Sequence, residues 1–312
     1  MAGILLGSLV FCSLAIGQTT KPADTIQLKP IQVAPYTYFV RGFPEMGSSA
    51  NQNFISNAGF VVTPKGVVVV DALGSPALAQ KLLNEIAKIT KQKVVAVIVT
   101  HYHADHIYGL QVFKKAGAKI YAQELSKDYL NSDAARQRLE SSRIDFAPWV
   151  NSSTYLMAPD RWIKSEKTLT VGGVDFLISK VGPAHTSEDL MVYVPSESVL
   201  FVGDLVFRGR IPFVGNADSK GWLASLDRIE TLKPKIVIPG HGAYSASPPQ
   251  DIAFTREYLR YLRESMGEAA RNMDSFDEVY TKTDWSEYEG MPLFRSANRM
   301  NAYNVYLSIQ GE

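Results

Sequence analysis

The stretch Thr100-His101-Tyr102-His103-Ala104-Asp105-His106 decides how this chain is interpreted, because it concentrates metal-binding side chains just beyond a predicted strand. Residues 94–99 before it are apolar and mostly β-branched, which is typical of a buried strand. Histidine and aspartate are preferred zinc ligands, and three of the five histidines of the chain lie here. The first two can point at one ion from an extended or turn backbone, while the aspartate and the third histidine can serve a second ion. Three surface histidines on a loop would be the alternative, but so dense a cluster favours a metal site.

The other two histidines and a further aspartate also follow predicted strands. His185 lies in a loop punctuated by Gly and Pro, between two predicted strands, and His241 follows the predicted strand at residues 236–238. Asp204 comes after the apolar residues 200–203. A lone His or Asp at such a position usually caps a loop or a helix. No histidine is left elsewhere in the chain, however, and this pattern favours a functional site.

Strand-like and helical segments alternate along the chain. Hairpins are predicted at residues 53–72, 169–179 and 190–202, where paired strand-like runs flank turns that contain Gly or Pro. Ser75 and Pro76 predict a helix start, with Ser75 as the N-cap. Further predicted segments are strands at 36–40, 94–99, 118–122 and 236–238, helices at 109–115, 124–143, 222–232 and 248–270, and an irregular stretch at 146–159. This order predicts two mixed sheets face to face, with helices outside, in one α/β domain.

The composition is that of an ordinary globular protein. The 312 residues are 46% hydrophobic and 20% charged, and the formal net charge is +1. This charge balance gives no indication of a nucleic-acid-binding face or of an acidic partner. The expected partner is a small-molecule substrate, and no feature of the sequence specifies an oligomeric state.

The N-terminal segment has the layout of a secretory signal peptide. Residues 4–16 are largely apolar and too short for a comfortable membrane span, and small residues precede Gln18. We therefore expect cleavage after residue 17, a periplasmic or secreted mature protein, and no stable membrane association after cleavage; an uncleaved membrane anchor is the alternative. Cys12 is the only cysteine, so the mature chain would hold no disulfide, thiolate ligand or cysteine nucleophile.

The ordered set His101-x-His103-x-Asp105-His106, His185, Asp204 and His241 resembles the metallo-β-lactamase superfamily over roughly residues 39–262. The resemblance implies an αββα sandwich with a metal site at one edge of the β layers. It also implies the following organisation: a signal peptide at 1–17, a leader arm at 18–35, a catalytic domain at 36–270, and a C-terminal extension at 271–312 that packs on the domain.

Residue by residue, the resemblance implies a binuclear zinc site. His101, His103 and His185 would bind the first ion, Asp105, His106 and His241 would bind the second, and Asp204 would bridge the two. Asp71, which closes a predicted strand, resembles a family aspartate that braces the metal loop; a carboxylate with no role in the site is the alternative. Two ions about 3.5–4 Å apart can share a hydroxide whose parent water drops in pKa toward about 7, and this hydroxide would be the nucleophile. Asp105 would orient the water or shuttle its proton. Iron or manganese can replace zinc, because His and Asp bind all three metals.

Several positions indicate which subgroup of the metallo-β-lactamase superfamily the chain resembles. The commonest subclass of true β-lactamases carries cysteine where Asp204 stands, and has lysine at the position of Phe207, where it grips the substrate carboxylate. Arg208 beside it is our candidate for that carboxylate, because a guanidinium can pair bidentately; a solvated surface arginine is the alternative. Residues 182–195 resemble the corresponding loop and strand of subclass B1 enzymes. The sequence is also similar to the exported quinoprotein relay system zinc metallohydrolases in three segments: Phe39-Val40-Arg41-Gly42-x-Pro44-Glu45-Met46, Asn57-x-Gly59-Phe60, and residues 100–109.

The expected function is that of an exported binuclear zinc hydrolase. It would cleave an ester, thioester or amide/lactam bond of a small substrate, with β-lactamase activity as one case. Glyoxalase II thioesterases share the whole ligand set, whereas flavo-diiron enzymes usually carry Glu at the position of His103 and are disfavoured. A mononuclear iron persulfide dioxygenase and a non-catalytic periplasmic metal-binding protein are the alternatives. Residues 42–53 and 146–160 are the candidate walls of the substrate site.

Overall fold

The computed structural model describes residues 24–312 of the chain. The predicted signal peptide, Cys12 and the first part of the leader arm lie outside the described residues. Among residues 24–312, no helix combines the length and the apolar character that a membrane crossing requires.

The first sheet contains the residues that lead to the histidine-rich stretch. Its strands are hydrogen-bonded in chain order, the first four antiparallel and the fourth to the seventh parallel. The valine-rich fourth strand is buried along its whole length, as expected for a strand covered on both faces. The strands are β1 (Ile31–Ala34), β2 (Thr37–Val40), β3 (Ala58–Thr63), β4 (Gly66–Val70), β5 (Val94–Ile98), β6 (Lys119–Gln123) and β7 (Arg161–Ile163).

The second sheet contains the strands that lead to the three remaining metal-site candidates. Its spatial order is β12-β11-β10-β9-β8, with β11 and β12 parallel and the other neighbours antiparallel. The strands are β8 (Glu166–Val171), β9 (Val174–Lys180), β10 (Leu190–Val194), β11 (Val199–Phe207) and β12 (Ile236–His241).

Helices cover the outer faces of both sheets. The first begins where the sequence predicts, since the Ser75 side chain accepts a hydrogen bond from the backbone N–H of Leu78. The helices are α1 (Pro76–Ile89), α2 (Ala104–Ile107), α3 (Leu110–Lys115), α4 (Ser126–Asn131), α5 (Asp133–Asp145), α6 (Ser219–Thr231), α7 (Pro248–Asn272), α8 (Phe276–Lys282) and α9 (Phe294–Gln310).

Three apolar layers hold the fold together. Side chains of both sheets, among them Phe39, Val68 and Phe201, form the layer between the sheets. A second layer lies between the first sheet and helices such as α1, and a third lies between the second sheet and α6, α7 and α9. Burial of apolar surface on both faces of each sheet is the main stabilising contribution. The predicted αββα sandwich is confirmed.

The structure differs from the sequence prediction in local detail. The predicted helix at 124–143 is two helices, because Ser132 adopts an extended backbone and caps α5 by accepting from the backbone N–H of Ala135. β7 and β1 were not predicted; β1 lies within the predicted leader arm and pairs with β2 at the edge of the sheet. β11 runs to Phe207, so Asp204 lies within this strand and not after it.

Candidate metal centre

Four of the predicted ligands come from one turn of chain at the end of β5. The strand ends at Ile98, the chain bends at Thr100, and His103 has an extended backbone just before the four-residue helix α2. His101 and His103 therefore precede the helix, whereas Asp105 and His106 lie in it. The change from extended to helical backbone lets all four side chains turn toward one place.

The other three predicted ligands come from the second sheet. His185 lies in the loop between β9 and β10, Asp204 in β11, and His241 is the last residue of β12. The pairing of β11 with β12 is irregular at Gly203, which has a φ of +51°. Gly240 is required beside it, because an added Cβ would lie 1.9 Å from Asp204 Oδ1.

The structure brings all seven side chains together in two sets, and within each set the ligand atoms lie within 4.8 Å of one another. The first set is His101, His103, His185 and Asp204, and the second is Asp105, His106 and His241. In the first set, His185 Nε2 lies 3.0 Å from His103 Nδ1. In the second, Asp105 Oδ2 lies 3.6 Å from His106 Nε2 and 3.4 Å from His241 Nε2.

Asp204 reaches both sets. Its Oδ1 lies 3.2 Å from His106 Nε2, and its Oδ2 lies 3.2 Å from His241 Nε2 and 3.4 Å from His185 Nε2. The side chain is almost fully buried. A carboxylate at this position can contribute one oxygen to each of two neighbouring cations.

Asp71 braces the first half of the site. Its backbone is left-handed, with a φ of +64°, and its side chain accepts from the Thr100 N–H and the Thr100 hydroxyl, both at 2.8 Å. Its Oδ2 also lies 2.9 Å from His106 Nδ1. Burial lowers the pKa of His106, but the carboxylates of Asp105, Asp204 and Asp71 outweigh burial and raise that pKa well above its ordinary value. The Nδ1 contact with Asp71 directs His106 Nε2 toward the carboxylates of Asp105 and Asp204.

Two further histidines are oriented through Nδ1. His241 Nδ1 donates to the carbonyl oxygen of Ile55 at 2.7 Å, so its proton is on Nδ1 and its Nε2 is free. His101 Nδ1 lies 3.1 Å from the hydroxyl of Thr100, whose own proton goes to Asp71. In both rings the Nε2 atom therefore turns toward the carboxylates.

The electrostatics favour a cation at this centre. Burial lowers the pKa of His101 well below its ordinary value and lowers that of His185 to about 3, so both rings are neutral and keep a lone pair. Burial raises the pKa of Asp204, but the neighbouring imidazoles, with His241 the strongest, hold that pKa well below its usual range. An ionised carboxylate beside these two neutral imidazoles is a set of ligand groups that suits zinc, iron or manganese.

Unpaired buried atoms show that the residues fit such a metal. Among residues 24–312, His101 Nε2, His106 Nε2, His185 Nδ1 and Asp204 Oδ1 are buried without a hydrogen-bond partner. Leaving a buried polar atom unpaired costs about 1–3 kcal/mol. His101 Nε2, His106 Nε2 and Asp204 Oδ1 face the centre where the candidate ligand groups meet, and a bound cation would satisfy these three atoms.

The guanidinium of Arg208 is not brought into the cluster. It donates to the carbonyl oxygens of Ala243, at 3.0 Å, and of Tyr244, and it pairs with Asp251. These contacts tie the chain after β12 to α7 and account for the arginine structurally.

Arg210, which sequence reasoning missed, borders the centre beside His241. It is 5% exposed, and its guanidinium lies over the ring of Phe207 and 3.3 Å from His241 Nδ1. Because that nitrogen already donates its proton to Ile55, it has no lone pair for Arg210. Within the described part of the chain, Arg210 forms no ion pair with a carboxylate.

Aromatic side chains enclose the centre. The Phe207 ring stacks on His241 with centroids 5.0 Å apart, and the Trp222 ring lies 5.1 Å from that of His185. Phe213, also missed in the sequence, is half-exposed and has its ring centroid 6.5 Å from that of His103.

The two segments predicted as walls of the substrate site, residues 42–53 and 146–160, contact each other, since Trp149 Nε1 donates to the Ser49 carbonyl oxygen at 2.8 Å.

Comparisons with known proteins agree with this geometry. The family model described as the metallo-beta-lactamase superfamily matches residues 52–241. The chain is 26% identical to metallo-beta-lactamase IND-1 of Chryseobacterium indologenes over 64% of this chain and 77% of the relative. It is 28% identical to metallo-beta-lactamase type 2 of Elizabethkingia meningoseptica over 60% of this chain and 69% of the relative. The solved metallo-beta-lactamase from Pontibacter korlensis is similar in fold, with a TM-score of 0.60 and 23% identity over 75% of this chain and 99% of that one.

Proposed function

The chain belongs to the metallo-beta-lactamase superfamily and is a metal-dependent hydrolase, and from this premise we propose that it is an exported binuclear zinc enzyme. Its substrate is a small molecule with an ester, thioester or amide/lactam bond. Export follows from the layout of residues 1–17, and the absence of cysteine from the rest of the chain suits an oxidising compartment.

One observation carries the proposal: seven ligand groups form two sets, and Asp204 contacts histidines of both. His101, His103 and His185 would hold the first ion, Asp105, His106 and His241 the second, and Asp204 would bridge them. A protein that only stored a single ion would have no use for the second set. Bound there, zinc supplies Lewis acidity, which polarises the attacked bond and lowers the pKa of water toward about 7.

The residues around the ligands have separate tasks. Asp105 is the more exposed of the two ligand carboxylates, with 15% of its side chain accessible against 4% for Asp204, so it can orient the attacking water and accept its proton. Asp71 holds His106 and Thr100 in place. Phe207 and Trp222 exclude water from the rear of the site, which strengthens its electrostatic interactions.

We also propose that Arg210, and not Arg208, meets an anionic group of the substrate. Arg208 already uses its donors on two backbone carbonyls and Asp251. Arg210 is a buried cation beside His241 that forms no ion pair among the described residues, and such a group is costly to bury unless it gains an anionic acceptor. Carboxylate-bearing esters, thioesters and lactams are therefore the substrates to screen first.

Metal analysis of the purified mature protein, without added metal, tests the proposal. Two zinc ions per chain are expected, with turnover of at least one ester, thioester or lactam. His103→Ala and Asp105→Ala should each abolish turnover and lower the metal content.

Other outcomes would replace the proposal. One iron per chain, with oxygen consumption on a persulfide, would establish the dioxygenase alternative. Full metal occupancy without hydrolysis across the panel would establish a binding protein, and failure to take up any metal would refute the site itself.

A further inference from the structure

The loop after β11 borders the metal centre and lacks regular secondary structure. It carries Arg210, beside His241, and Phe213, beside His103. The polar groups of a loop backbone need partners when they are buried, because unpaired ones are costly. The partners of this loop therefore determine where its two site-facing side chains stand.

A single side chain from the far end of the chain supplies two of these partners. Asn301 in α9 donates from Nδ2 to the Pro212 carbonyl oxygen at 2.7 Å and accepts through Oδ1 from the Val214 N–H at 2.9 Å. These two backbone groups flank Phe213 in the sequence. The Ile211 N–H next to Arg210 donates to the Pro292 carbonyl oxygen at 3.0 Å, just before α9.

Further hydrogen bonds lie behind this amide, on the side away from the loop. Asn301 Nδ2 also donates to the Tyr258 hydroxyl at 2.9 Å, and that hydroxyl donates to Asn298 Oδ1 at 2.8 Å. Asn298 Nδ2 in turn donates to the Tyr280 hydroxyl at 3.1 Å. Both N–H groups and the oxygen of Asn301 are thus used, and a flipped amide would lose both of its bonds to the loop.

The two asparagines stand out on their helix. Both are fully buried, whereas the rest of the buried face of α9 is apolar: Ala297, Ala302, Val305, Tyr306 and Ile309. Apolar residues would suffice for packing, and a buried amide costs free energy unless it is fully paired. The hydrogen bonds of Asn301 to the loop distinguish it from Asn298, whose side chain hydrogen-bonds to Tyr258 and Tyr280 among the described residues.

We propose that Asn301 is a positioning residue of the active site. It holds the backbone on both sides of Phe213 and thereby sets where Phe213 and Arg210 stand against the metal centre. Its effect on substrate binding rests on the proposed hydrolase function. α9 lies outside residues 52–241, so this chain uses its C-terminal extension to shape the site of the family domain.

The test compares Asn301→Leu with the matched control Asn298→Leu. Both variants replace a buried amide on the same helix face by an apolar side chain of similar size, but only the first removes bonds to the loop. Hydrogen exchange of the Val214 amide should be faster by about tenfold in Asn301→Leu, as expected for the loss of one buried hydrogen bond, and unchanged within about twofold in Asn298→Leu. Equal protection of Val214 in both variants, or an unchanged rate in Asn301→Leu, would overturn the proposal.

Kinetics supply a second readout. For a carboxylate-bearing ester, KM should rise by about five- to tenfold in Asn301→Leu with kcat within about threefold, while a neutral ester with the same leaving group keeps its KM. A parallel loss for both esters would indicate a merely structural role and count against the proposal.

The exchange measurement needs neither metal nor substrate, so it separates the two hypotheses. If the protein shows no hydrolase activity but Asn301→Leu still speeds Val214 exchange, the proposed function is refuted. The proposed role of Asn301 in holding the loop around Phe213 is then still supported. If Asn301→Leu does not fold, Asn301→Ala and Asn298→Ala are compared under the same criteria. Alanine leaves a cavity at these positions and introduces no larger apolar side chain.

Discussion

The two halves of the molecule supply the candidate metal centre in different ways. The first sheet contributes four candidate ligands from six consecutive residues after β5. The second sheet contributes one candidate ligand each from a loop, a strand and a strand end: His185, Asp204 and His241. A contiguous motif is positioned by local backbone geometry, whereas dispersed ligands depend on strand pairing and on the packing of the sheets.

The same contrast holds for the groups that orient the ligands. In the first half, hydrogen bonds from Asp71 and Thr100 fix the rings. In the second half, aromatic packing contributes as well: Phe207 lies on His241, whose Nδ1 donates to the Ile55 carbonyl oxygen, and Trp222 lies on His185, whose Nδ1 has no hydrogen-bond partner among the described residues. One half is held by directional bonds and the other by packing as well.

Replacing one ligand from each half tests whether both are indispensable. His103→Ala and His185→Ala should each lower kcat/KM by at least about a thousandfold, because each removes a ligand from the same set and costs several kcal/mol of transition-state stabilisation. Steady-state kinetics and metal content measure the effect, with circular dichroism to verify the fold. Substantial activity in only one variant would show that the halves do not contribute equally.

The hydrogen-bonded brace can be separated from the ligands themselves. Asp71→Asn should weaken metal binding by about 10–100-fold, as for other groups that orient metal-binding histidines. Asparagine tolerates the left-handed backbone at this position, so the fold is retained. Competition with a chromogenic chelator gives the affinity. Phe207→Leu, which changes the packing on His241 in the other half, serves as the comparison variant. An unaltered metal affinity in Asp71→Asn would contradict the bracing role of Asp71.

Two neighbouring arginines of the second half sharpen the assignment of substrate contacts. Arg210→Gln should raise KM for a carboxylate-bearing substrate by about tenfold, because a charge-assisted hydrogen bond contributes about 1.5–3 kcal/mol. Arg208→Gln should leave that KM within about twofold, since its contacts are structural. A chromogenic cephalosporin and a carboxylate ester are suitable probes. The opposite order of effects would restore Arg208 as the substrate-binding residue.

The smallest expected effects come from the helix caps, one in each half. Ser75 caps α1 through the Leu78 N–H, and Asp218 caps α6 through the Gly221 N–H. Replacing either by alanine should lower the free energy of unfolding by about 1 kcal/mol without changing the metal content. Urea titrations followed by fluorescence and by circular dichroism measure this. Coincident transitions in both variants indicate one cooperative unit, whereas separate transitions would show that the halves unfold independently.

Much of the site was visible in the sequence because metal ligands belong to few residue types. All five histidines and both predicted ligand aspartates meet in the structure, and Asp71 contacts them. Arg210 was missed because arginines on loops are usually solvated, and nothing local shows that this one is buried. Phe213 and Asn301 were missed for a related reason, since an aromatic residue in a loop and an amide in a helix have no pattern that indicates a site.

The sequence by itself determined the two-sheet sandwich, the ligand set and the start of α1, because hydrophobic periodicity, histidine spacing and cap residues act over a few neighbouring positions. Only the tertiary structure decided that Arg210, and not Arg208, lies beside His241, and that the loop that carries Arg210 hydrogen-bonds to Asn301 of α9. These contacts join residues 31 and 87 positions apart in the sequence. Such long-range contacts are stabilised by the burial and strand pairing of the whole fold, and no local stretch of sequence specifies these interactions.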